Sequence, residues 1–447
     1  MKDFPTVSWY QVLKNRKSIL KNPLPFHHYN FEKLGDTFKV KIGPSGTILF
    51  TRSPEYIRRV LQKQHKSYHK STLQTRDLAK YIGKGLLTSN GEHWRTHRRM
   101  VQPAFHKKKL EGLLGIMHAA IVEELERIKP DEVQNIYPLM GDLAFQVVAK
   151  SLFSRDDIQG QMAQLKEISE TNQKMLIREM RQPFMNWWFK LSGEIKRHLS
   201  YSEQARTILD GIIQERIDSG TEKDDLLDML LKARYDDGTP MSRAQLIDEV
   251  LILFTAGHET TANALSFTLF LLAKNPDAQQ NAFESISQVD LEGDNPMETL
   301  SKLTYVKQCV EEGMRLYPPA YYVDRVSIER DQWGNHSIPK DTMILLAMYE
   351  LHRDIRFWNA PEVFRPERFD AANKKDFQEY YYPFGAGPRM CVGNNFAMYE
   401  MTLVVAEILK KHEIKAVTDN VEINPLITLK PKEVVLKFVP RKKGEPV

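Results

Sequence analysis

Most of the chain carries the hydrophobic periodicity of helices. Across residues 92–270, apolar side chains recur at intervals of three and four, which places them on one face of successive helices. Strand-like patterns are short. The chain does not alternate strands with helices as a doubly wound fold does. It is therefore predicted to be mainly α with small peripheral β-sheets (α+β), with strands at residues 37–42, 46–51, 321–328, 343–348 and 434–438.

One segment predicts a long buried helix. It begins at Ser242, which can form a capping box with Gln245, and runs to Lys274, just before Pro276. About 30 residues would span about 45 Å, and apolar side chains cover most of the circumference, as in a helix inside a domain. A membrane span is the alternative. Polar residues at the centre, such as residues 258–261, argue against it because such groups are costly in lipid.

Composition adds limits to this picture. The 447 residues are 42% hydrophobic and carry a formal net charge of +5, which does not indicate a nucleic-acid partner. Length allows several domains, but no linker or repeat is visible, so residues 1–447 are predicted to form a single domain. The two cysteines favour a reducing compartment. The N-terminus lacks an apolar signal core, so a soluble, cytoplasmic protein without a membrane span is expected.

Cys391 lies in a glycine-rich stretch near the C-terminus. Residues 384–393 have the sequence Phe-Gly-Ala-Gly-Pro-Arg-Met-Cys-Val-Gly and lead into a helical pattern. This predicts a tight loop, and the start of the next helix would stabilise a thiolate. An isolated cysteine is most often a small buried hydrophobe, a zinc site lacks further ligands here, and a nucleophile needs a histidine that the sequence cannot place. The glycines and the neighbouring arginine favour a metal-bound thiolate.

These ten residues resemble the haem-binding loop of cytochromes P450, because Phe384, Gly387, Arg389, Cys391 and Gly393 match its fixed positions. The resemblance implies a haem domain of the soluble bacterial type, with haem b (iron protoporphyrin IX) buried between the long central helix and the cysteine loop. It implies that Cys391 is the axial ligand of the iron and that Arg389 pairs with a haem propionate. The other loop residues implied to bind the cofactor are Phe384, Gly385 and Gly393.

Residues 256–261, in the middle of the long helix, resemble the oxygen-binding segment of the same family. The resemblance implies that Ala256 is a cofactor-binding residue and that Thr260 donates hydrogen bonds to bound O₂. It also implies that Glu259 supplies protons to Thr260 from solvent. Many members carry aspartate where Glu259 stands, so the carboxylate is kept but its reach differs. A threonine in the middle of a helix can also do no more than bend the helix.

Further residues resemble motifs of the same family, in the order in which these motifs occur along its members' chains. Trp94 and Arg98 are four residues apart on one predicted helix face, and the resemblance implies that both bind haem propionates. Arg325, after a Pro-Pro turn, is another candidate for a propionate. Cys309 is expected to be core packing. A charged trio is expected to be structural and not catalytic, and it consists of Glu312, Arg315 and Arg368.

The implied reaction inserts one oxygen atom from O₂ into a C–H bond of a small-molecule substrate. Hydroxylation and oxidative O-demethylation are both permitted. The chain ends shortly after the haem domain without a fused reductase, so the electrons are expected from a separate ferredoxin or flavodoxin with its reductase. Basic residues cluster at Arg95, Arg98, Arg99 and residues 107–109. This cluster is either a surface that attracts an acidic electron donor or an ordinary solvated surface.

The sequence leaves the substrate and two alternative functions open. By resemblance, residues 174–193 help to line the substrate pocket. Their aromatic side chains suit a fatty-acid-like molecule, whereas their arginines suit a carboxylate or an oxygen-rich molecule such as a sugar. The alternative functions are a peroxide-driven peroxygenase and a non-catalytic haem sensor, although an acid beside Thr260 favours O₂. The side chains in question are Phe184, Trp187, Trp188, Arg178 and Arg181.

Overall fold

The computed structural model describes residues 3–43, 46–155, 157–293 and 295–441. The chain divides into two compact units. The first consists of Met1–Ser71, Leu125–Met140 and Thr260–Val447, and the second consists of Thr72–Glu124 and Gly141–Glu259. Every β-sheet of the described residues lies in the first unit, and the second unit is built of helices and loops.

Helices dominate the described residues, which confirms the mainly α prediction. Several of them begin with a proline in the first turn, where the backbone N–H that proline lacks would have no partner within the helix. In chain order they are α1 (Trp9–Lys14), α2 (Arg16–Lys21), α3 (Leu24–Leu34), α4 (Pro54–Arg58), α5 (Ala79–Ile82), α6 (Gly91–Val101), α7 (Lys107–Glu111), α8 (Leu114–Leu125), α9 (Ile136–Phe153), α10 (Gln159–Arg181), α11 (Asn186–Leu191), α12 (Glu194–Ser219), α13 (Leu226–Lys232), α14 (Arg243–Lys274), α15 (Pro276–Ser287), α16 (Pro296–Lys302), α17 (Thr304–Leu316), α18 (Met348–Leu351), α19 (Lys374–Phe377) and α20 (Asn394–Lys411).

The strands are short. They are β1 (Thr6–Val7), β2 (Thr37–Lys41), β3 (Thr47–Thr51), β4 (Tyr68–His69), β5 (Val133–Asn135), β6 (Tyr322–Ser327), β7 (Asp331–Trp333), β8 (His336–Ile338), β9 (Met343–Ala347), β10 (His412–Ala416), β11 (Ile423–Pro425), β12 (Leu429–Pro431) and β13 (Val435–Pro440). The largest sheet has the order β1-β2-β3-β9-β6-β4, and the other sheets are β10-β13-β5, β11-β12 and β7-β8. The five predicted strands correspond to β2, β3, β6, β9 and β13.

The largest sheet supplies a core for the first unit. β3 pairs with β2 in the antiparallel sense and with β9 in the parallel sense, with Leu49 opposite Ile344. Because side chains alternate across a strand, one face of the sheet packs onto a buried apolar cluster. That cluster also contains Leu61 and Ala386. Ala386 belongs to the cysteine loop, so the loop is attached to the core of its unit.

The long helix α14 extends for 32 residues, in agreement with the prediction. The Ser242 hydroxyl accepts a hydrogen bond from the Gln245 backbone N–H at 3.3 Å, which is the first half of the predicted capping box. The Gln245 side-chain amide donates to the carbonyl oxygen of Lys84 and to the carboxylate of Glu249. Among the described residues, no helix combines the length and the apolar composition needed to cross a bilayer.

The predicted charged trio forms inside the first unit. Arg315 Nε and Nη2 donate to the two carboxylate oxygens of Glu312 at 2.6 and 2.8 Å, a bidentate pair. Arg368 Nε donates to the same carboxylate at 3.2 Å. All three side chains are buried. Because a buried charge is tolerated only when it is paired, the trio fixes α17 to the 3₁₀ turn Pro366–Phe369.

Candidate functional site

The cysteine loop, residues 384–393, is closed by its own backbone. The Cys391 N–H donates to the Phe384 carbonyl oxygen at 2.9 Å, so the first and eighth residues of the loop are joined. Inside this closure, the Met390 N–H donates to the Gly387 carbonyl oxygen at 3.0 Å. These bonds take the place of the regular hydrogen bonds of a helix or a sheet, and they hold the Cys391 backbone in one position.

Contacts just before the loop tie it to neighbouring elements of the first unit. The Tyr382 N–H donates to Nε2 of His352 at 2.9 Å. Burial and the nearby charge of Arg315 lower the pKa of His352 to about 3, so the ring is neutral and can accept this bond. The Tyr381 hydroxyl donates to the Glu311 carbonyl oxygen of α17 at 2.7 Å. The segment that leads into the loop is thus held on both sides.

Gly387 makes the closest backbone approach in the loop. Its φ of 69° lies in the left-handed region that glycine tolerates. A Cβ at this position would overlap the carbonyl oxygen of Leu61. Gly385 has a similar φ of 70°, but a Cβ there would meet no atom within 4 Å. Gly385 is therefore favoured by its backbone conformation alone, whereas Gly387 must also leave room for the Leu61 carbonyl oxygen.

The two cysteines lie in opposite surroundings. Cys309 is buried in α17, and burial raises the pKa of its thiol well above the ordinary value, so it stays a neutral packing residue as predicted. Cys391 is exposed, three residues before α20 begins at Asn394. Cysteine is among the most frequently buried residue types. An exposed cysteine in a fixed loop, close to a helix N-terminus, is available as a ligand.

Positive charge lies within and beside the loop, at the partly buried Arg389 and the buried Arg325. Arg389 Nη1 donates to the Tyr68 carbonyl oxygen at 2.6 Å, and Arg325 Nη1 donates to the Asp324 carbonyl oxygen at 2.7 Å. Burial and the neighbouring Arg389 charge lower the pKa of Arg325 to about 10. Burial and the same charge also lower the pKa of His69, on β4. Two guanidinium groups that lie close to each other favour an anionic group beside them.

These residues fit the haem that the resemblance implies. An exposed thiol can ligate the iron, and two guanidinium groups match the two propionates of the porphyrin. Gly387 allows the loop to lie tightly against the core without a side chain in the way. His69 was not predicted, because nothing in the sequence brings a lone histidine of a two-residue strand close to Arg389.

Trp94 and Arg98 lie one turn apart on α6 of the second unit, as predicted. The Trp94 side chain is buried, and Arg98 Nε donates to Oε1 of Gln102 at 2.9 Å. That Trp94 and Arg98 bind haem propionates stays a prediction. The first unit brings together Phe384, Gly385, Arg389, Cys391, Gly393 and Arg325, and the second holds Trp94, Arg98, Ala256 and Glu259.

The predicted oxygen-binding segment lies within α14. Ala256 is exposed and Thr260 is partly exposed, one turn apart, although most of this helix is buried. Glu259 accepts a hydrogen bond from the side-chain amide of Gln173, on α10. Gln173 was not predicted, because the contact joins positions far apart in sequence. The helix therefore leaves Ala256 exposed and Thr260 partly exposed, and their binding to O₂ or to a cofactor stays a prediction.

Comparisons with known proteins agree with this geometry. A family model described as "Cytochrome P450" matches residues 4–438. The cytokinin hydroxylase of Arabidopsis thaliana is 30% identical over 94% of this chain and 84% of its own length. The cyclooctat-9-en-7-ol 5-monooxygenase of Streptomyces melanosporofaciens is 29% identical over 91% of this chain and 88% of its own. The 11-oxo-beta-amyrin 30-oxidase of Glycyrrhiza uralensis is 29% identical over 91% and 80%.

The substitution Gly387→Ala is expected to damage the loop far more than Gly385→Ala. Each introduces about 1–2 kcal/mol of backbone strain at positive φ, but only at Gly387 does the new methyl group overlap a backbone oxygen, that of Leu61. Haem content and the free energy of unfolding of both variants provide the measurement. Equal losses in the two variants would show that the approach to Leu61 does not constrain the loop.

Proposed function

Because the chain belongs to the cytochrome P450 family, we propose that it inserts one oxygen atom from O₂ into a C–H bond of a fatty-acid-like or other small organic molecule. The chain is a haem-dependent monooxygenase, an oxidoreductase like the relatives named above. Hydroxylation and oxidative O-demethylation both remain within the proposal. The observation that carries it is Cys391, exposed in a closed loop that also contains the partly buried Arg389 and lies near the buried Arg325.

The proposed cofactor is haem b. When bound, it supplies activation of O₂ by two electrons, and a thiolate ligand favours cleavage of the O–O bond. Cys391 would hold the iron. Arg389 and Arg325 would pair with propionates, together with Trp94 and Arg98 of α6. The remaining cofactor-binding residues of the proposal are Phe384, Gly385, Gly393 and Ala256.

The proposed catalytic residues are Thr260 and Glu259. The Thr260 hydroxyl can donate one hydrogen bond and accept another, so it can pass a proton without moving. Glu259 is adjacent in sequence and can return the proton to Thr260 from solvent. The Gln173 amide donates to the Glu259 carboxylate and thereby limits the positions that this side chain can take. Gln173 is a positioning residue in this proposal.

In the structure, the side chains that suggested particular substrates are either paired with other residues or exposed. Arg178, which suggested a carboxylate-bearing molecule, already pairs with Glu194 and lies over the ring of Phe189. Phe184 and Trp187, which suggested a lining for a lipid chain, are exposed. The relatives are named for a cytokinin, 11-oxo-beta-amyrin and cyclooctat-9-en-7-ol, so their names do not converge on one molecule. We keep the proposal of a fatty-acid-like or other small organic molecule.

Family membership implies O₂, a substrate and redox partner proteins. We propose a ferredoxin or flavodoxin as the donor, because the basic cluster suits an acidic protein. Lys107, Lys108 and Lys109 are exposed on α7. Arg99 is less available, since it pairs with Asp236 at 2.9 Å. The single domain of residues 1–447 and the cytoplasmic location also stay predictions.

The central test compares Cys391→Ser with Cys309→Ser. The first variant is expected to lose the thiolate-type absorption band of the reduced, CO-bound protein, because an alcohol is a poor replacement for a thiolate ligand. The second is expected to keep the band, although a buried hydroxyl costs about 1–3 kcal/mol of stability. Retention of the band in Cys391→Ser would overturn the proposal. Turnover that needs peroxide and no reductant would overturn the use of O₂.

Thr260→Ala is expected to separate electron use from product formation. Reductant should still be consumed, but product per electron should fall by roughly tenfold or more as hydrogen peroxide is released, because the proton donor is lost. Thr260→Ser keeps the hydroxyl and is the matched control. Product and peroxide are measured together in each variant. Equal coupling in Thr260→Ala and the unaltered protein would remove Thr260 from the mechanism.

Charge reversal tests the donor surface. Lys108→Glu is expected to slow electron transfer from the donor by roughly tenfold at low salt and to flatten its dependence on ionic strength, because steering between opposite charges is lost. Lys340→Glu makes the same change in net charge at another exposed lysine and is the control. Stopped-flow reduction of the haem measures the rate. Equal rates in the two variants would exclude α7 as the docking surface.

A further inference from the structure

His352 is a buried polar residue that neither the proposed cofactor site nor the proposed catalysis uses. It follows α18 directly, is buried, and lies in the first unit together with the cysteine loop. One ring nitrogen, Nε2, accepts the Tyr382 backbone N–H at 2.9 Å, and the other, Nδ1, has no hydrogen-bond partner among the described residues. The polarity of the ring therefore serves the contact with Tyr382.

Tyr382 lies in an irregular part of the chain, where backbone groups need partners outside a helix or a sheet. The described residues 378–386 form neither helix nor strand, and Tyr382 is buried. A buried backbone N–H without an acceptor destabilises the fold. The carbonyl oxygen of Tyr382 is also used, because it accepts the Gly385 N–H at 3.0 Å. Both backbone groups of Tyr382 are thus fixed, one by His352 and the other by the cysteine loop.

The contact between His352 and Tyr382 is connected to Cys391 in few steps. Phe384 follows Tyr382 by two residues, and its carbonyl oxygen accepts the Cys391 N–H at 2.9 Å. Two residues of backbone have little freedom once Tyr382 is fixed at both its N–H and its carbonyl oxygen. A displacement of Tyr382 would therefore also displace the carbonyl oxygen that holds the Cys391 backbone.

His352 is itself held by the charged trio and by α18. Arg315 Nη1 donates to the His352 carbonyl oxygen at 2.7 Å, and the His352 N–H donates to the Met348 carbonyl oxygen at 2.9 Å. The ring lies beside that of Tyr381, with the centroids 5.3 Å apart. Because burial and the Arg315 charge lower its pKa to about 3, the ring is neutral, and Nε2 accepts while Nδ1 carries the proton.

We propose that His352 is a positioning residue for the thiolate ligand: it accepts the Tyr382 N–H and thereby keeps the cysteine loop where Cys391 can hold the iron. The inference rests on the proposed function, because it takes Cys391 as that ligand. It also connects the charged trio with the loop, through the bond from Arg315 to the His352 backbone. The role requires a hydrogen-bond acceptor at Nε2 and no proton transfer.

The test compares His352→Phe with His352→Gln in the haem-loaded protein. Phenylalanine keeps an aromatic ring but cannot accept a hydrogen bond, whereas the side-chain oxygen of glutamine can accept the Tyr382 N–H. In the reduced, CO-bound protein, the ratio of molecules with the thiolate-type band to molecules without it is expected to fall by roughly tenfold or more in His352→Phe. It is expected to recover in His352→Gln. Amide hydrogen exchange across residues 380–393 should accelerate in His352→Phe and return to its original rate in His352→Gln.

Trp358→Phe is the control for general damage to the same segment. It removes the buried hydrogen bond from Trp358 Nε1 to the Leu351 carbonyl oxygen at 3.1 Å, whose acceptor lies outside the loop. It is expected to lower the thermal midpoint of unfolding and to keep the thiolate-type band.

The outcomes separate this inference from the proposed function. If the unaltered protein shows the thiolate-type band, three results would each overturn the positioning role alone: an unchanged band in His352→Phe, an equal loss in Trp358→Phe, or no recovery in His352→Gln. If the unaltered protein lacks the band, the proposed function fails together with the inference.

Discussion

The structure depends on a loop that packs against the core at Ala386 and leaves the Cys391 thiol uncovered by the protein. Ala386 packs in the apolar cluster of the largest sheet, while Cys391, five residues later, is exposed. So short a separation is possible because Gly387 passes directly against the Leu61 carbonyl oxygen and the Cys391 N–H closes the loop onto Phe384. The constraint fixes the backbone of Cys391 before any ligand is considered, which contributes to the pre-organisation that a metal ligand needs.

Buried arginines are stabilised in two ways, and the difference separates scaffold from site. Arg315 pairs with the Glu312 carboxylate, so its charge is neutralised within the protein. Arg325 donates to a backbone carbonyl oxygen, which satisfies a hydrogen bond but carries no net charge. The lowered pKa of Arg325 reflects this cost of burial. The second arrangement suits a cofactor that brings its own carboxylates, whereas the first is complete in itself.

The sequence predicted what depends on local pattern. Periodicity located α14, and the fixed positions of one loop singled out Cys391, because both signals lie within a short stretch. Contacts between distant positions carry no such signal, so neither the Gln173 bond to Glu259 nor the approach of Leu61 to Gly387 could be predicted. Glu400 shows the same limit. Burial raises the pKa of the Glu400 carboxyl well above the ordinary value, although the sequence of α20 has the pattern of any amphipathic helix.

Residues 184–191 show why periodicity does not reveal what covers an apolar face. The pattern predicts that one face avoids water, and Phe189 does so inside the protein, whereas Trp187 and Trp188 on the other side do not. An aromatic lining for a substrate and an aromatic surface exposed to solvent give the same sequence pattern, and burial alone distinguishes them.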